Sequence, residues 1–393
     1  MTSFLSNLLA PRDAETPADP AALVGATVAS ASLLSRAARA KRAGETAVAT
    51  TTSARRSSSS SEAAAKTTLP VEEAAAKAKE AIGKQLAEIR VVLIGDVDKD
   101  VDEERAAKVA AAAEAQNLAR ALASCVAELP LEACKSAAHV VANLMRRDDT
   151  GASFAATVVD DGATLETLVR AYPENGAEVA LACGTMLREA CKHEIVCAAI
   201  LRSSSFWLVL TDYVHLKNFD VAADAFALLR CLLTGHPKVA AAFVRENYDF
   251  FFECYNRLLH SDNYVTCRES LRLLSDVLLD RAHYQTMIAY IANKDHLKIL
   301  MLLMRSKKSR IQLEAFHVFK IFVANPNKTT DVARVLTQNK HKLIAYLADF
   351  HTTDTQNDAQ FLEERHLVLD TLRHLPDVAD GASTGGTPPP PHK

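Results

Sequence analysis

The chain has 393 residues, which is enough for two or three ordinary domains or for one long array of repeats. Apolar residues make up 49% of it, so a large core can form, and a formal charge of −3 gives no general attraction to nucleic acid or to a membrane. No signal peptide and no long uncharged apolar run is evident, and the eight cysteines contain no CxxC pair. We therefore expect a cytoplasmic protein in a reducing compartment.

The first 69 residues read as a disordered or low-complexity extension, because they contain a serine run and little helical periodicity after Leu34. Within this extension, residues 27–44 are rich in Arg, Ala and Ser and contain no acidic residue, as transit peptides do. Acidic residues precede the segment, however, and transit peptides normally begin at the N-terminus. A disordered insert is the favoured interpretation, and organelle targeting is the alternative.

Helical periodicity begins at Pro70, where apolar residues recur at three- and four-residue steps and predict an amphipathic helix ending at Gly95. Helical patterns continue to about Leu375 without convincing strand alternation. The end of the chain, residues 377–393, is rich in proline and glycine and is predicted to be a disordered tail. The predicted domain is thus helical over residues 70–376, between two disordered ends.

One acidic loop invites a calcium-binding interpretation. Asp96, Asp98 and Asp100 match positions 1, 3 and 5 of an EF-hand loop, but Val101 replaces the required glycine and Ala107 the required glutamate. An acidic loop between helices is therefore favoured. No phosphate-binding, dinucleotide-binding, zinc-protease or nucleophile-elbow motif occurs in the sequence, so we expect neither an enzyme nor a cofactor or metal site.

Three segments recur at a fixed interval of 45 residues: 223–238, 268–283 and 313–328 align without a gap. Looser copies begin near residues 182 and 135. The matched positions are Ala225, Ser270 and Ala315, then Phe226, Leu271 and Phe316, then Gly235, Asp280 and Asn325 at the turns.

This interval predicts the fold class. A period of roughly 40–47 residues is typical of armadillo or HEAT repeats, which contain two or three helices each. Three helices fit into one period here, and none of them can bury its apolar face without its neighbours. The predicted fold is all-α, a right-handed helical-repeat solenoid of the armadillo or HEAT type with about six repeats.

The repeat register also predicts a surface. Subtracting 45 residues aligns His317 with Arg272 and Leu313 with Arg268. Because stacked repeats keep their register, Arg268, Arg272, His317 and Lys320 are expected to form a polar stripe that contacts a partner. The alternative is a solvated face, or a locally bonded side chain for His317. Metal ligation and catalysis are disfavoured, because no His, Cys or acid follows His317 by three or four residues.

Local charge bears on the kind of partner. Residues 268–342 contain 14 Lys and Arg against 6 Asp and Glu, whereas residues 349–380 contain 8 acids and 2 arginines. A basic face suits an acidic peptide or a C-terminal carboxylate, and it also suits RNA phosphates. Against RNA, the repeats lack aromatic and amide residues at matching positions for reading bases. A generic helical adaptor is a further alternative.

Several passages resemble the calcium-binding protein 39 family, also called morula protein 25, a group of armadillo-like kinase scaffolds. They are MLREACKHE at 186–194, FDVAADAFALL at 219–229, LLHSDNYVTCRESLRLL at 258–274 and IQLEAFHVFKIFVANPNKT at 311–329. The resemblance covers about residues 71–375. It implies a non-catalytic scaffold that holds the tail of a pseudokinase in a C-terminal hydrophobic pocket and the kinase-like fold in its concave face. Calcium binding is not well supported for the family, despite its name.

The resemblance also implies the partners. They are a protein kinase or pseudokinase of the germinal-centre class, together with a liver-kinase-type serine/threonine kinase, in signalling for cell polarity and morphogenesis. Cys267 and Gln338 stand where the family usually has basic residues. The family's partner-contacting positions fall on Phe219, Arg268, Arg272, Met301 and Lys342.

Overall fold

A computed structural model shows a protein built from helices. Among the residues that it describes there are 19 α-helices, three short 3₁₀ helices and no strand. The chain divides into two compact units, residues 1–243 and 244–393. The predicted all-α, repeat-built fold is confirmed. The described residues are 19–51, 61–95, 101–174, 176–350 and 359–376.

The helices of the first unit are mostly 8 to 16 residues long, apart from the first two, and the last of them crosses the boundary between the units. They are α1 (Pro20–Thr51), α2 (Ser61–Ile94), α3 (Glu103–Ala115), α4 (Leu118–Cys125), α5 (Leu131–Arg146), α6 (Gly151–Asp160), α7 (Thr164–Glu174), α8 (Ala177–Ala190), α9 (Glu194–Arg202), α10 (Ser204–Thr211), α11 (Phe219–Thr234) and α12 (Pro237–Glu246). The 3₁₀ helices in this unit are Val126–Glu128 and Tyr213–His215.

The second unit continues the same alternation of short helices and tight connections. Its helices are α13 (Tyr248–Leu259), α14 (Tyr264–Leu279), α15 (Tyr284–Ala292), α16 (Lys294–Leu303), α17 (Ser309–Ala324), α18 (Thr330–Ala348) and α19 (Ala359–Arg373), with a 3₁₀ helix at Arg281–His283.

The 45-residue interval reappears in the helix starts. Helices α11, α14 and α17 each have 16 residues and begin at Phe219, Tyr264 and Ser309. The side chains of Asn218 and Asn263 each accept hydrogen bonds from two backbone N–H groups at the start of α11 and α14, so the same residue type fixes the same helix boundary. The repeat is therefore built into backbone geometry as well as into the apolar pattern.

In the first unit, α2, α5, α8 and α11 pack one against the next. Helix α1 packs on α2, α3 and α4 and buries Leu23, Val24 and Leu34 almost completely. Thr27 is also buried, and its hydroxyl donates to the carbonyl oxygen of Leu23 at 2.9 Å, which satisfies it inside the helix. Small and hydroxylated side chains at helical spacing thus form a packing face.

This packing corrects the predicted N-terminal extension. Residues 20–51 and 61–69, expected to be disordered or low in structure, are helical: the first segment forms α1, whose inner face belongs to the core, and the second forms the start of α2, which begins at Ser61 and not at Pro70. The remaining parts of that prediction, residues 1–18 and 52–60, lie outside the described residues, as does the predicted tail, residues 377–393.

Helix α1 also bears on the expectation that no long apolar run exists. By length and composition Pro20–Ala43 could cross a membrane, and so could two bent helix pairs if each pair acted as one span. The most apolar window of Pro20–Ala43 has a mean hydropathy of 1.4, and 44% of it is buried inside the protein. In this structure its apolar face is covered by other helices of the first unit.

In the second unit α14 packs on α17, and α17 packs on α16 and α19. Aromatic rings fill the space between these helices: the Phe316 ring is 5.3 Å from Phe361 and 5.5 Å from Phe350, centroid to centroid. Phe316 is wholly buried and Phe361 nearly so, and such edge-to-face and tilted contacts add about 0.5–1.5 kcal/mol each to the burial of the rings. The core therefore fixes α14, α17 and α19 side by side.

Candidate partner-binding surface

Arg268 and Arg272 lie one turn apart on α14, on the side that faces α17 of the next repeat. The Arg268 guanidinium forms long ion pairs, with Glu314 of α17 at 3.7 Å and with Glu269 at 3.6 Å. Its Nε is buried and has no hydrogen-bond partner among the described residues. Arg272 is exposed. Both distances exceed hydrogen-bond range, so Arg268 keeps unused donor capacity.

The Glu314 carboxylate is largely buried and lies near Arg268. Burial raises the pKa of its carboxyl group, and the positive charges of Arg268 and Arg272 only partly oppose that effect. The charge of Arg272 thus acts on the same carboxylate of α17 that pairs with Arg268. The two arginines and Glu314 thus share one side of the α14–α17 pair.

One turn further along α17, His317 and Lys320 share a second carboxylate. Lys320 Nζ is 2.6 Å from Glu364 of α19, and His317 Nδ1 is 3.7 Å from the other oxygen of the same carboxylate. Burial alone would raise the pKa of Glu364, but hydrogen bonds from Lys320 and Gln360 outweigh it and lower that pKa. Glu364 is therefore held in its charged form at neutral pH.

These side chains form two charge clusters on three helices of the second unit, one around Glu314 and one around Glu364, and we call the two clusters together the charged ribbon. Each cluster contains two of the four residues that the repeat register selected, and a single stripe of the four and its role in binding a partner stay predictions. The ribbon consists of Arg268, Arg272, Glu314, His317, Lys320 and Glu364.

The acids of the ribbon are the main feature that sequence reasoning missed, since that reasoning predicted a basic face. A signal was available: Asp224, Glu269 and Glu314 follow one another at intervals of 45 residues, so each repeat places a carboxylate at the same position. In the first unit, Asp224 of α11 likewise pairs with Arg188 of α8, and it accepts a 2.6 Å hydrogen bond from the Tyr172 hydroxyl. The acid–base contact is thus a property of the repeat.

A second surface surrounds Met301, which is half-buried on α16. Arg305 follows one turn later and lies close enough to Tyr346 of α18 to counter the effect of burial, which raises the pKa of that phenol. The Tyr346 hydroxyl donates to the carbonyl oxygen of Met304, and Lys342 is exposed one turn before Tyr346. We call Met301, Arg305, Lys342 and Tyr346 the α16–α18 patch; Arg305 and Tyr346 were not among the predicted residues.

Phe219 is the predicted site residue that belongs to the first unit. It is the first residue of α11, directly after the capping Asn218, and its side chain is 60% exposed. A large exposed aromatic side chain at a helix start is available for contact with a partner. The other six predicted residues belong to the second unit.

The cysteines and the acidic loop were also considered as chemical sites. In the part of the chain that the structure describes, the eight cysteines are free thiols, and no group of three or more His, Cys, Asp or Glu side chains is placed to hold a metal ion. In the acidic loop for which calcium binding was considered and disfavoured, Asp96, Asp98 and Asp100 lie outside the described residues. Asp102 caps α3 by accepting from Arg105 N, and Ala107 lies inside that helix.

Stacked helices with a 45-residue interval define an all-α helical-repeat protein. The model of one family, described as Mo25-like, matches residues 41–376. The chain therefore belongs to the Mo25-like family.

Named relatives agree over most of their length. A calcium-binding protein 39-like protein of Mus musculus is 37% identical over 77% of this chain and 89% of its own length. A Mo25-like protein of Schizosaccharomyces pombe is 37% identical over 78% of this chain and 92% of its own. A degreening-related protein of the alga Auxenochlorella protothecoides is 37% identical over 77% of this chain and 93% of its own.

Proposed function

We propose that the protein is a non-catalytic cytoplasmic scaffold that binds a protein kinase or pseudokinase of the germinal-centre class and stabilises its active conformation. The charged ribbon is the observation that carries this proposal, because it offers paired ionisable groups in fixed positions across consecutive repeats. Membership of the Mo25-like family supports the scaffold role. The cellular setting that we propose is kinase signalling in cell polarity and morphogenesis.

Arg268 is the proposed anchor of the ribbon. Its ion pairs at 3.6 Å and 3.7 Å are longer than hydrogen bonds, so its terminal N–H groups keep donor capacity. A carboxylate on the kinase would gain charge-assisted hydrogen bonds from this guanidinium without breaking a tight internal pair. Arg272, exposed one turn away, would extend the same contact.

The α16–α18 patch is the proposed site for the C-terminal tail of a pseudokinase. Met301 offers a flexible, polarisable surface for an aromatic side chain of the tail. Arg305 and Lys342 are exposed cations beside it, and each suits a carboxylate on the docked peptide. Apolar and cationic groups together therefore fit a peptide that carries both an aromatic and an acidic residue.

Activation follows from differential binding. A groove that fits the active-like kinase better than the inactive one shifts the population of the kinase toward the active state. A preference of about 2–3 kcal/mol would raise the active fraction roughly 30- to 150-fold when that state is rare. No catalytic group of the scaffold takes part in the phosphoryl transfer.

The test compares Arg268→Ala and Met301→Ala with Arg257→Ala as the matched control. Arg257 also belongs to the second unit, but it pairs with Glu253 on its own helix and is 64% exposed. We expect the first two variants to weaken binding of a germinal-centre kinase or pseudokinase at least about tenfold in calorimetry, and the control to bind as the wild type does. Wild-type affinity in both test variants would show that the surface is wrongly assigned.

RNA binding is the second candidate, favoured by the excess of Lys and Arg in residues 268–342. The carboxylates within the ribbon weigh against it, because Glu314 and Glu364 would repel phosphates. Affinity purification followed by mass spectrometry separates the candidates. Enrichment of a kinase supports the scaffold; retardation of RNA at physiological salt with no kinase recovered supports the alternative.

A further inference from the structure

Two free thiols meet where α8 and α11 pack together. Cys191 directly follows the last residue of α8 and is buried, and the thiol of Cys231 on α11 lies beside this end of α8. The Cys231 Sγ is 3.9 Å from the carbonyl oxygen of Arg188, one turn before Cys191. His236 Nε2, just after α11, lies 3.1 Å from the carbonyl oxygen of Cys191. These contacts place Cys191 and Cys231 in the same α8–α11 interface.

The two thiols differ in access and in acidity. Cys191 is fully buried, whereas Cys231 is the one cysteine among the described residues that is only half-buried. The hydrogen bond from Cys191 lowers the pKa of Cys231, and the nearby cations Arg188 and Lys192 act in the same direction, against the effect of burial. At Cys197, by contrast, burial raises the pKa to about 12. Cys231 is therefore the more reactive of these thiols.

We propose that Cys191 and Cys231 form a reversible disulfide when the protein meets a hydroperoxide. The Cys231 thiolate attacks one peroxide oxygen, the O–O bond breaks, and with one proton the products are a Cys231 sulfenic acid and one water or alcohol. The Cys191 thiol then attacks the Cys231 sulfur, the S–O bond breaks, and a second molecule of water leaves as the S–S bond forms. Two thiols are oxidised and one hydroperoxide is reduced.

The disulfide would join the end of α8 to α11, two helices that pack against each other in the first unit. It would close a loop between residues 191 and 231 and so restrict the unfolded chain, which stabilises the oxidised form. This inference does not rest on the proposed kinase scaffold, because all of its contacts belong to the first unit and involve no partner.

Trypsin provides a direct readout. Cleavage after Arg188, Lys192, Arg230 and Lys238 leaves Cys191 alone in the fragment 189–192 and Cys231 alone in the fragment 231–238. The full-length protein is treated with hydrogen peroxide, its remaining thiols are alkylated, and a non-reducing digest is analysed by mass spectrometry. We expect these two fragments to be linked, with a mass two hydrogen atoms below their sum, and dithiothreitol to separate them.

Variants show whether the pairing is specific. Cys231→Ser must abolish the linked pair, and Cys197→Ser must leave it, since Cys197 lies in the fragment 193–202 and is the nearest competing thiol. Without peroxide, Cys231 should react with iodoacetamide at least about tenfold faster than Cys197. A cross-link from Cys231 to Cys197, or a Cys231 that is oxidised only to the sulfinic acid, would overturn the proposal. An unlinked wild-type protein after peroxide treatment would overturn it too.

Discussion

Gly184 shows how a single hydrogen atom in place of a side chain permits a buried polar contact. It lies inside α8, where the Asp224 carboxylate and the Tyr172 hydroxyl approach the backbone so closely that a Cβ would overlap both. Gly83 occupies a comparable position inside α2, but a Cβ there would meet only the Cβ of Ala133 at an ordinary 4.0 Å. The two glycines therefore form a matched pair.

We expect Gly184→Ala to lower the free energy of unfolding by about 2–4 kcal/mol, because it must displace the hydrogen-bonded carboxylate or the phenol. Gly83→Ala should leave stability unchanged or raise it by up to about 1 kcal/mol through better helix propensity. Urea denaturation of the two full-length variants measures the difference. If both variants lost the same unfolding free energy, the close approach of Asp224 would not be the reason that residue 184 must be glycine.

Glu364 gives a prediction with two readouts. In Glu364→Gln, Lys320 and His317 lose their shared carboxylate, and we expect a loss of about 1 kcal/mol at neutral pH. The folded pKa of Glu364 lies below its ordinary value of 4.5, so this stabilisation is present above pH 4.5 and disappears as the pH falls through the folded pKa. Chemical denaturation as a function of pH measures it.

The same substitution should tighten binding of an acidic partner, because it removes a negative charge from the ribbon. Glu363→Gln, one residue earlier and exposed, is the control for a general change of charge. If both variants bind a kinase partner equally, the position of Glu364 in the ribbon has no bearing on recognition.

Sequence reasoning located the cations of the ribbon because they recur in register, and the same register contained Glu269 and Glu314. Those acids were missed because charge was counted over a long segment and not at each repeat position. Glu364 could not have been found in this way. Helix α19 begins 50 residues after α17, so it is out of step with the 45-residue interval, and only packing shows that it faces Lys320.

At the scale of the helix, the boundaries of α11 and α14 depend on one asparagine each. Asn263 accepts hydrogen bonds from Val265 N at 2.9 Å and Thr266 N at 3.4 Å, and Asn218 accepts from the matching positions of α11. These bonds satisfy backbone donors that have no partner within the helix.

We expect Asn263→Ala to cost about 1 kcal/mol of unfolding free energy, and Asn218→Ala a similar amount. Asp262→Ala, one residue before the cap and exposed, should cost less than about 0.5 kcal/mol. Urea titrations of the three variants test this. A loss at Asp262 as large as at Asn263 would point to general loop disruption in place of capping.

Helix α1 is the element for which the sequence was least informative. Its inner face consists largely of alanine, threonine and serine, residue types that contribute little to a hydrophobic pattern and also abound in disordered segments. Thr27 and Ser30 are nevertheless wholly buried. From composition alone, Leu or Val would be expected at such buried positions. The helix is fixed by close packing on α2, which only the tertiary structure reveals.

At the scale of the whole molecule, the ionisable groups predict that the free energy of unfolding falls in two separate pH ranges as the solution is acidified. His283 is 1% exposed, neither of its ring nitrogens has a hydrogen-bond partner among the described residues, and burial lowers its pKa from 6.5. Burial also lowers the pKa of His296, which stacks on Tyr290 at 4.0 Å. Because the unfolded chain binds these protons more readily, their neutral forms favour folding above pH 6.5 and that benefit is lost below it.

The second step comes from Glu189. Hydrogen bonds from Arg146 and Lys192 lower its pKa to about 2, so its contribution is present above pH 4.5 and is lost between about pH 4.5 and 2. Unfolding free energies measured from pH 8 to pH 3 should fall in both ranges. His283→Leu should flatten the decline that begins below pH 6.5, whereas His366→Gln, at an exposed histidine of α19, should leave it unchanged. A slope that persists in His283→Leu at its wild-type value would assign the first step to another group.

The match to the family begins at residue 41, midway along a helix whose earlier turns hold Leu23, Val24 and Leu34 against α2 and its neighbours. A protein truncated to that boundary would therefore lose the first turns of α1, and the apolar surface that those turns cover would be exposed to water. Such a fragment should aggregate and bind hydrophobic dyes. Its aggregation would come from the missing turns of α1 and would give no information on the stability of the repeat helices. Recombinant production ought to start no later than residue 19.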